Sequence, residues 1–129
     1  MPPMPGLRGR ASHTVTDADT AIALRSGEVP VLGTPRLVAL MEEASVEALD
    51  GSLADGETSV GMRIHVDHMA PTAPGVGVTA EAVLEGVEGR RLTFGATAKV
   101  GDAVVATASI IRVVVETHRF LDRVDGDPT

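Results

Sequence analysis

At 129 residues and 43% hydrophobic, the chain has the size and apolar content of one domain with one core. A net charge of −7 argues against the basic footprint of a nucleic-acid partner, the absence of Cys excludes disulfide and thiolate chemistry, and no run approaches the roughly 20 apolar residues of a membrane span. With two Phe and neither Trp nor Tyr, the core must come from Val, Leu, Ile, Ala and Met. These bury less area per side chain than aromatics, so a partner subunit covering one face would help.

One domain is expected over residues 1–129, with an ordered core from about 7 to 123 and loose tails at 1–5 and 124–129. The start, MPPMPGLRGR, has no apolar stretch suited to a signal peptide, and the cytoplasm is the default expectation. Residues 7–16 suit a first strand. Residues 17–30 have mixed polarity and read as a loop with a short helix, placed to act as a lid.

Gly33-Thr34-Pro35 is a helix start, with Thr as the capping residue and Pro at the first helical position. The helix is expected over 35–49, ended by Asp50-Gly51. At 100° per residue, Leu37, Leu40, Met41, Ala44 and Ala48 share one side, while Glu43 and Glu47 form the polar side. Glu42 does not join them. It falls between Val38 and Leu49, at the border of the apolar arc.

Four strand-like runs follow. From Ser59 the alternation puts Val60, Met62, Ile64 and Val66 on one face and Ser59, Gly61, Arg63, His65 and Asp67 on the other. Residues 76–88 turn Val78, Ala80, Ala82 and Leu84 inward. Residues 91–100 do the same with Leu92, Phe94, Ala96 and Ala98. Residues 103–116 are apolar on both faces, which suits a central or interface-covered strand. Short turns at Glu88-Gly89 and Gly101-Asp102 make antiparallel neighbours. One long helix followed by an antiparallel sheet, with so narrow a polar face on the helix, predicts an α+β hotdog fold in which the sheet wraps the helix.

Three residues on this frame have chemistry to offer. His68 shares the inward parity of Ile64 and Val66, whereas His65 points the other way; a core-edge His satisfied by a carbonyl is the plain alternative. Glu42 faces the sheet and needs a partner, a snorkelling or solvated Glu being the plain alternative, and an inward Glu with an inward His can form a dyad in which the carboxylate orients the imidazole. Thr34 caps the helix on its own merits. It lies eight residues, about 12 Å of helical rise, from Glu42, so the two can flank one small group without touching. The helix N-terminus supplies N–H groups for a carbonyl gaining negative charge. Arg112, inside an apolar strand, requires a carboxylate or an anion. His13 and His118 read as surface residues. No metal site, phosphate loop or Gly-x-Ser-x-Gly elbow is present.

Gly33-Thr34-Pro35, Leu40-Met41-Glu42, the run from Ser59 through Val66-Asp67-His68, Pro74-Gly75, and Val87-Glu88-Gly89-Arg90-Arg91-Leu92 together resemble the fluoroacetyl-CoA thioesterase family of hotdog proteins. The resemblance spans roughly residues 30–124. It implies a homodimer with active sites near the subunit interface, hydrolysing an acyl-CoA to a carboxylate and CoA without a further cofactor. It places the catalytic roles on Thr34, Glu42 and His68, acyl binding on Gly61, and a nearby Arg on Arg112. The fluoroacetyl-selective enzyme carries a Phe-rich stretch before its Thr, whereas Arg25-Ser26-Gly27-Glu28-Val29-Pro30 holds no aromatic residue. A short-chain or broad acyl-CoA is the substrate this implies. Two other expectations remain beside hydrolysis: a CoA- or acyl-binding protein without catalysis, and an acyl-CoA hydratase or dehydratase.

Overall fold

Alternating small and branched residues build five strands, and the computed structural model, which describes residues 1–124, folds them into one antiparallel sheet. The strands are β1 (Arg8–Thr14), β2 (Glu57–His68), β3 (Gly77–Glu88), β4 (Arg91–Val100) and β5 (Ala103–Glu116), in the order β1-β3-β4-β5-β2. The helices are α1 (Ala21–Leu24), α2 (Thr34–Ala48) and α3 (Thr117–Asp122), with a 3-10 turn at Asp17–Asp19. The hotdog arrangement expected from the sequence is the one present. The loose tail expected at 1–5 carries no helix or strand. Of the second expected tail, residues 125–129 lie outside the described residues.

Two-residue turns at Gly89-Arg90 and Gly101-Asp102 set the β3–β4 and β4–β5 registers. Both glycines have positive φ, 62° and 59°, a conformation costly for a side chain. β5 lies between β4 and β2, which explains its two apolar faces. β2 does not pair with β3, its successor in the chain. It crosses to the far edge and, among the described residues, pairs only with β5.

α2 lies across β1 and β3, burying Leu37, Leu40, Met41, Ala44 and Ala48 against Ala80, Ala82, Leu84 and Phe94. Each large apolar side chain so buried contributes roughly 1.5–3 kcal/mol before entropy is counted. The closest approach is at Gly9 on β1, where an added Cβ would overlap the backbone of Ala44 and Ala48. A side chain there would push α2 off the sheet.

One expected face is wrong. The β2–β5 ladder shifts between Gly61 and Arg63, leaving Met62 as a bulge. Cross-strand partners share a face. Gly61 therefore faces the core with Arg112, and Ser59 with buried Val114, while Val60 pairs with Val113 on the outer face. Beyond the bulge, Ile64, Val66 and His68 face inward as expected, opposite Ile110, Ala108 and Ala106. Strict alternation has no means of registering one extra residue, so it reverses the first half of β2.

Candidate active site

The inward polar residues gather in two clusters. The first is at the start of α2. Gly33, not Thr34, is the capping residue, and it has no side chain with which to cap. Thr34 is the first residue of the helix, and its hydroxyl is free for another use. It lies 2.8 Å from Nδ1 of His68, the last residue of β2. The other ring nitrogen, Nε2, is buried with no hydrogen-bond partner among the described residues. Pro35 has no N–H, and the N–H groups of Arg36 and Leu37 donate to the Gly33 carbonyl. The helix terminus thus offers the Thr34 N–H rather than the full set expected of it.

A cleft of about 330 Å³ opens on this pair. Its walls are the segment before α2, through Ser26, Gly27, Val29 and Val31, and the segment after β2, through Met69 and Pro71. The loop expected at 17–30 therefore borders the site as a lid would, and no aromatic ring lines the cleft.

The second cluster lies two turns further along α2. Glu42 Oε2 accepts from Nη1 of Arg112 at 3.1 Å. Arg112 also donates through Nε to the Ser59 hydroxyl at 2.8 Å and through Nη2 to the Ser59 carbonyl at 3.0 Å. Arg112 is 6% exposed. Burial lowers the pKa of its guanidinium, and the Glu42 charge and hydrogen bond act to raise it again. A Cβ on Gly61 would overlap the Glu42 carboxylate, so this position must be glycine for the carboxylate to lie where it does.

Arg112 thus finds the carboxylate its place in an apolar strand demands, and finds it within the same chain. The Glu42–His68 dyad does not form in the chain. Glu42 is bonded to Arg112 and His68 to Thr34. Seven residues of β2 separate Gly61 from His68, roughly 20 Å of strand. His68 therefore stands beside Thr34 rather than midway between Thr34 and Glu42.

Ser59 and Asp19 were not anticipated. The bulge conceals Ser59. The signal for Asp19 is present in the sequence as Thr16-x-x-Asp19, the spacing of a capping box. His13, expected on the surface, is half-buried and lies 2.7 Å from Asp19. Burial raises the Asp19 pKa, but hydrogen bonds from His13 and Thr16 outweigh it and bring it down to about 2.

The family model described as fluoroacetyl-CoA-specific thioesterase matches residues 15–118. A fluoroacetyl-CoA thioesterase of Streptantibioticus cattleyicolor is 40% identical over 90 residues, which are 70% of this chain and 65% of that protein's own length. The solved fluoroacetyl-CoA thioesterase FlK superposes with a TM-score of 0.90 at 32% identity, covering 97% of each chain. A variant of FlK crystallised with fluoroacetate and CoA gives 0.84 at 33% identity, over 92% of this chain and 99% of that one.

Proposed function

The chain belongs to the fluoroacetyl-CoA-specific thioesterase family, and from that premise we propose that it hydrolyses an acyl-CoA thioester to a carboxylate and CoA, using Thr34, His68 and Glu42. The observation that carries the proposal is the 2.8 Å contact between the Thr34 hydroxyl and Nδ1 of His68 at the rim of a cleft. A hydroxyl aimed at an imidazole nitrogen is a nucleophile paired with its base. In the tautomer with its proton on Nε2, His68 accepts the Thr34 proton as the oxygen, or a water in its place, attacks the thioester carbonyl. The Thr34 N–H and the positive end of α2 favour the negative charge that develops on the carbonyl oxygen. Collapse breaks the C–S bond, and His68 returns its proton to the departing CoA sulfur. Where Thr34 attacks, a water then repeats the sequence on the acyl-threonine, releasing the carboxylate.

The two clusters support a homodimer. Among the described residues the outer edge of β2 pairs with no strand. A second copy pairing antiparallel along that edge would bring the Gly61 end of one β2 toward the His68 end of the other. Each Thr34–His68 pair would then face the Glu42–Arg112 cluster of the opposite copy, with Gly61 leaving space for an acyl group beside the carboxylate. A cleft lined without an aromatic ring favours a short or broad range of acyl groups over fluoroacetyl alone. A CoA thioester substrate and a chain without Cys suit the cytoplasm, and no described helix is long and apolar enough to cross a membrane.

The test is a panel of acyl-CoAs of increasing chain length followed with a free-thiol reagent, alongside the mass of the particle in solution. Thiol release by the wild-type dimer, lost in His68→Ala and Glu42→Ala, is the expected result. A burst of CoA followed by stalled deacylation in Glu42→Ala selects the acyl-threonine route. Unchanged turnover in both variants sinks the site assignment, and no release from any thioester favours a binding protein.

A further inference from the structure

One carboxylate holds the connection between β1 and α2. Asp19 is 8% exposed. Its Oδ2 accepts from the Thr16 N–H at 2.7 Å and the Thr16 hydroxyl at 2.9 Å, and lies 2.7 Å from Nε2 of His13. Its Oδ1 lies 3.5 Å from Nε of Arg36. His13 belongs to β1 and Arg36 to the first turn of α2, so this side chain spans both. The Asp19 carbonyl accepts from the N–H of Gly33, the residue before Thr34, at 2.9 Å.

The same bonds close the base of a loop. Ala21 N–H donates to the Val31 carbonyl and Leu32 N–H to the Thr72 carbonyl, both at 2.8 Å, and Thr20 and Leu32 form an isolated bridge. Between these ties, Ile22, Leu24 and Val29 are exposed, so little buried area holds the loop down. Ser26, Gly27 and Val29 from it form one wall of the cleft beside Thr34 and His68. At Gly33 the loop and the helix start are in contact: a Cβ would come within 2.9 Å of Leu24 Cδ1. A movement of the loop base is therefore passed to residue 33 and on to Thr34.

A three-residue 3-10 turn does not require a buried carboxylate with two basic partners, since a neutral side chain caps as well. The partners chosen are the strand before the loop and the helix after it. We propose that Asp19 is a positioning residue, fixing the loop base against β1 and α2 so that the Thr34 hydroxyl stays on His68 and the loop stays over the cleft. The loop part of this inference stands on the geometry alone, and its consequence for turnover rests on the thioesterase reading.

The experiment compares wild type with Asp19→Asn, which keeps the shape and loses the charge, and with His13→Gln, which leaves Asp19 in place. Trypsin cleavage after exposed Arg25 reads the loop, cleavage after Arg63 on β2 reads the sheet, and thiol release from a short acyl-CoA reads the site. In Asp19→Asn, cleavage at Arg25 is expected to rise about tenfold with Arg63 little changed. A displacement of Thr34 near 1 Å should lower kcat about tenfold to a hundredfold, beyond any change in KM. His13→Gln should move both readouts the same way by less. Equal acceleration at Arg25 and Arg63 marks a global loss of stability and overturns the proposal, as does cleavage at Arg25 within twofold of wild type. A wild-type rate with kcat unchanged in both variants overturns its catalytic part. A wild-type chain that hydrolyses no acyl-CoA overturns the thioesterase reading and the catalytic part with it, while the Arg25 cleavage still decides the loop part.

Discussion

The two polar clusters along α2 use similar groups to opposite ends. At Thr34 and His68 a single hydrogen bond joins the partners, Thr34 is exposed, and one ring nitrogen has no partner among the described residues. At Glu42 and Arg112 the charges are paired, and three guanidinium nitrogens have acceptors. The first cluster keeps bonding capacity in hand, as a reacting pair must. The second has spent it on holding β2, β5 and α2 together. Substitutions in the first should therefore cost rate alone, and loss of Glu42 from the second should cost stability as well as rate.

The largest effect sought is on rate. His68→Ala should lower kcat/KM by roughly 10²–10⁴, with the thermal midpoint nearly unchanged because the ring makes one exposed hydrogen bond within the chain. A large fall in the midpoint would mean that His68 is part of the frame. In the Glu42–Arg112 cluster stability should fall together with rate. Glu42→Ala strands a buried guanidinium and is expected to cost about 2 kcal/mol in urea unfolding, below the 3–5 kcal/mol of a fully buried pair because the Glu42 side chain is 32% exposed. Arg112→Leu should cost less, since Glu42 can rehydrate. Glu42→Ala in the Arg112→Leu background should cost almost nothing, and simple additivity would show the pair uncoupled.

Acid should separate the loop base from both clusters. Asp19 has its pKa lowered from 3.8 to about 2, so its contribution is complete above about pH 4 and is lost as pH falls toward 2. The drop corresponds to about 2 kcal/mol. Unfolding measured between pH 5 and 2 should lose this component in wild type and lack it in Asp19→Asn; parallel curves would refute the assignment. The smallest effect is expected from Thr34→Ser. It keeps the hydroxyl and its bond to His68, and activity should stay within about tenfold of wild type, whereas Thr34→Val should fall with His68→Ala. A valine variant as active as the serine one would leave direct attack by water as the route.

Much of this was legible from local pattern. β4 runs over the residues its alternation marked and β5 over the run apolar on both faces, and β3 starts one residue later than expected, because two-residue turns leave few other solutions. Glu42 was separable from Glu43 and Glu47 by its angle on the helix, and His68 from His65 by parity. What failed did so where one residue changes the phase. The bulge at Met62 reversed the faces of Ser59 and Gly61, and one residue of offset at the start of α2 made Gly33 the cap and freed Thr34.

By itself, the sequence determined the strands and the long helix, the hotdog class and the inward aim of Glu42, His68 and Arg112, since these follow from spacing along the chain. Only the tertiary structure decided which of them meet. Whether His68 reaches Thr34 or Glu42, and whether Arg112 takes Glu42, depends on β2 crossing to the far edge of the sheet and on the angle at which α2 lies over it. Neither is encoded in any one segment, because both are set by contacts between residues 34 to 70 positions apart.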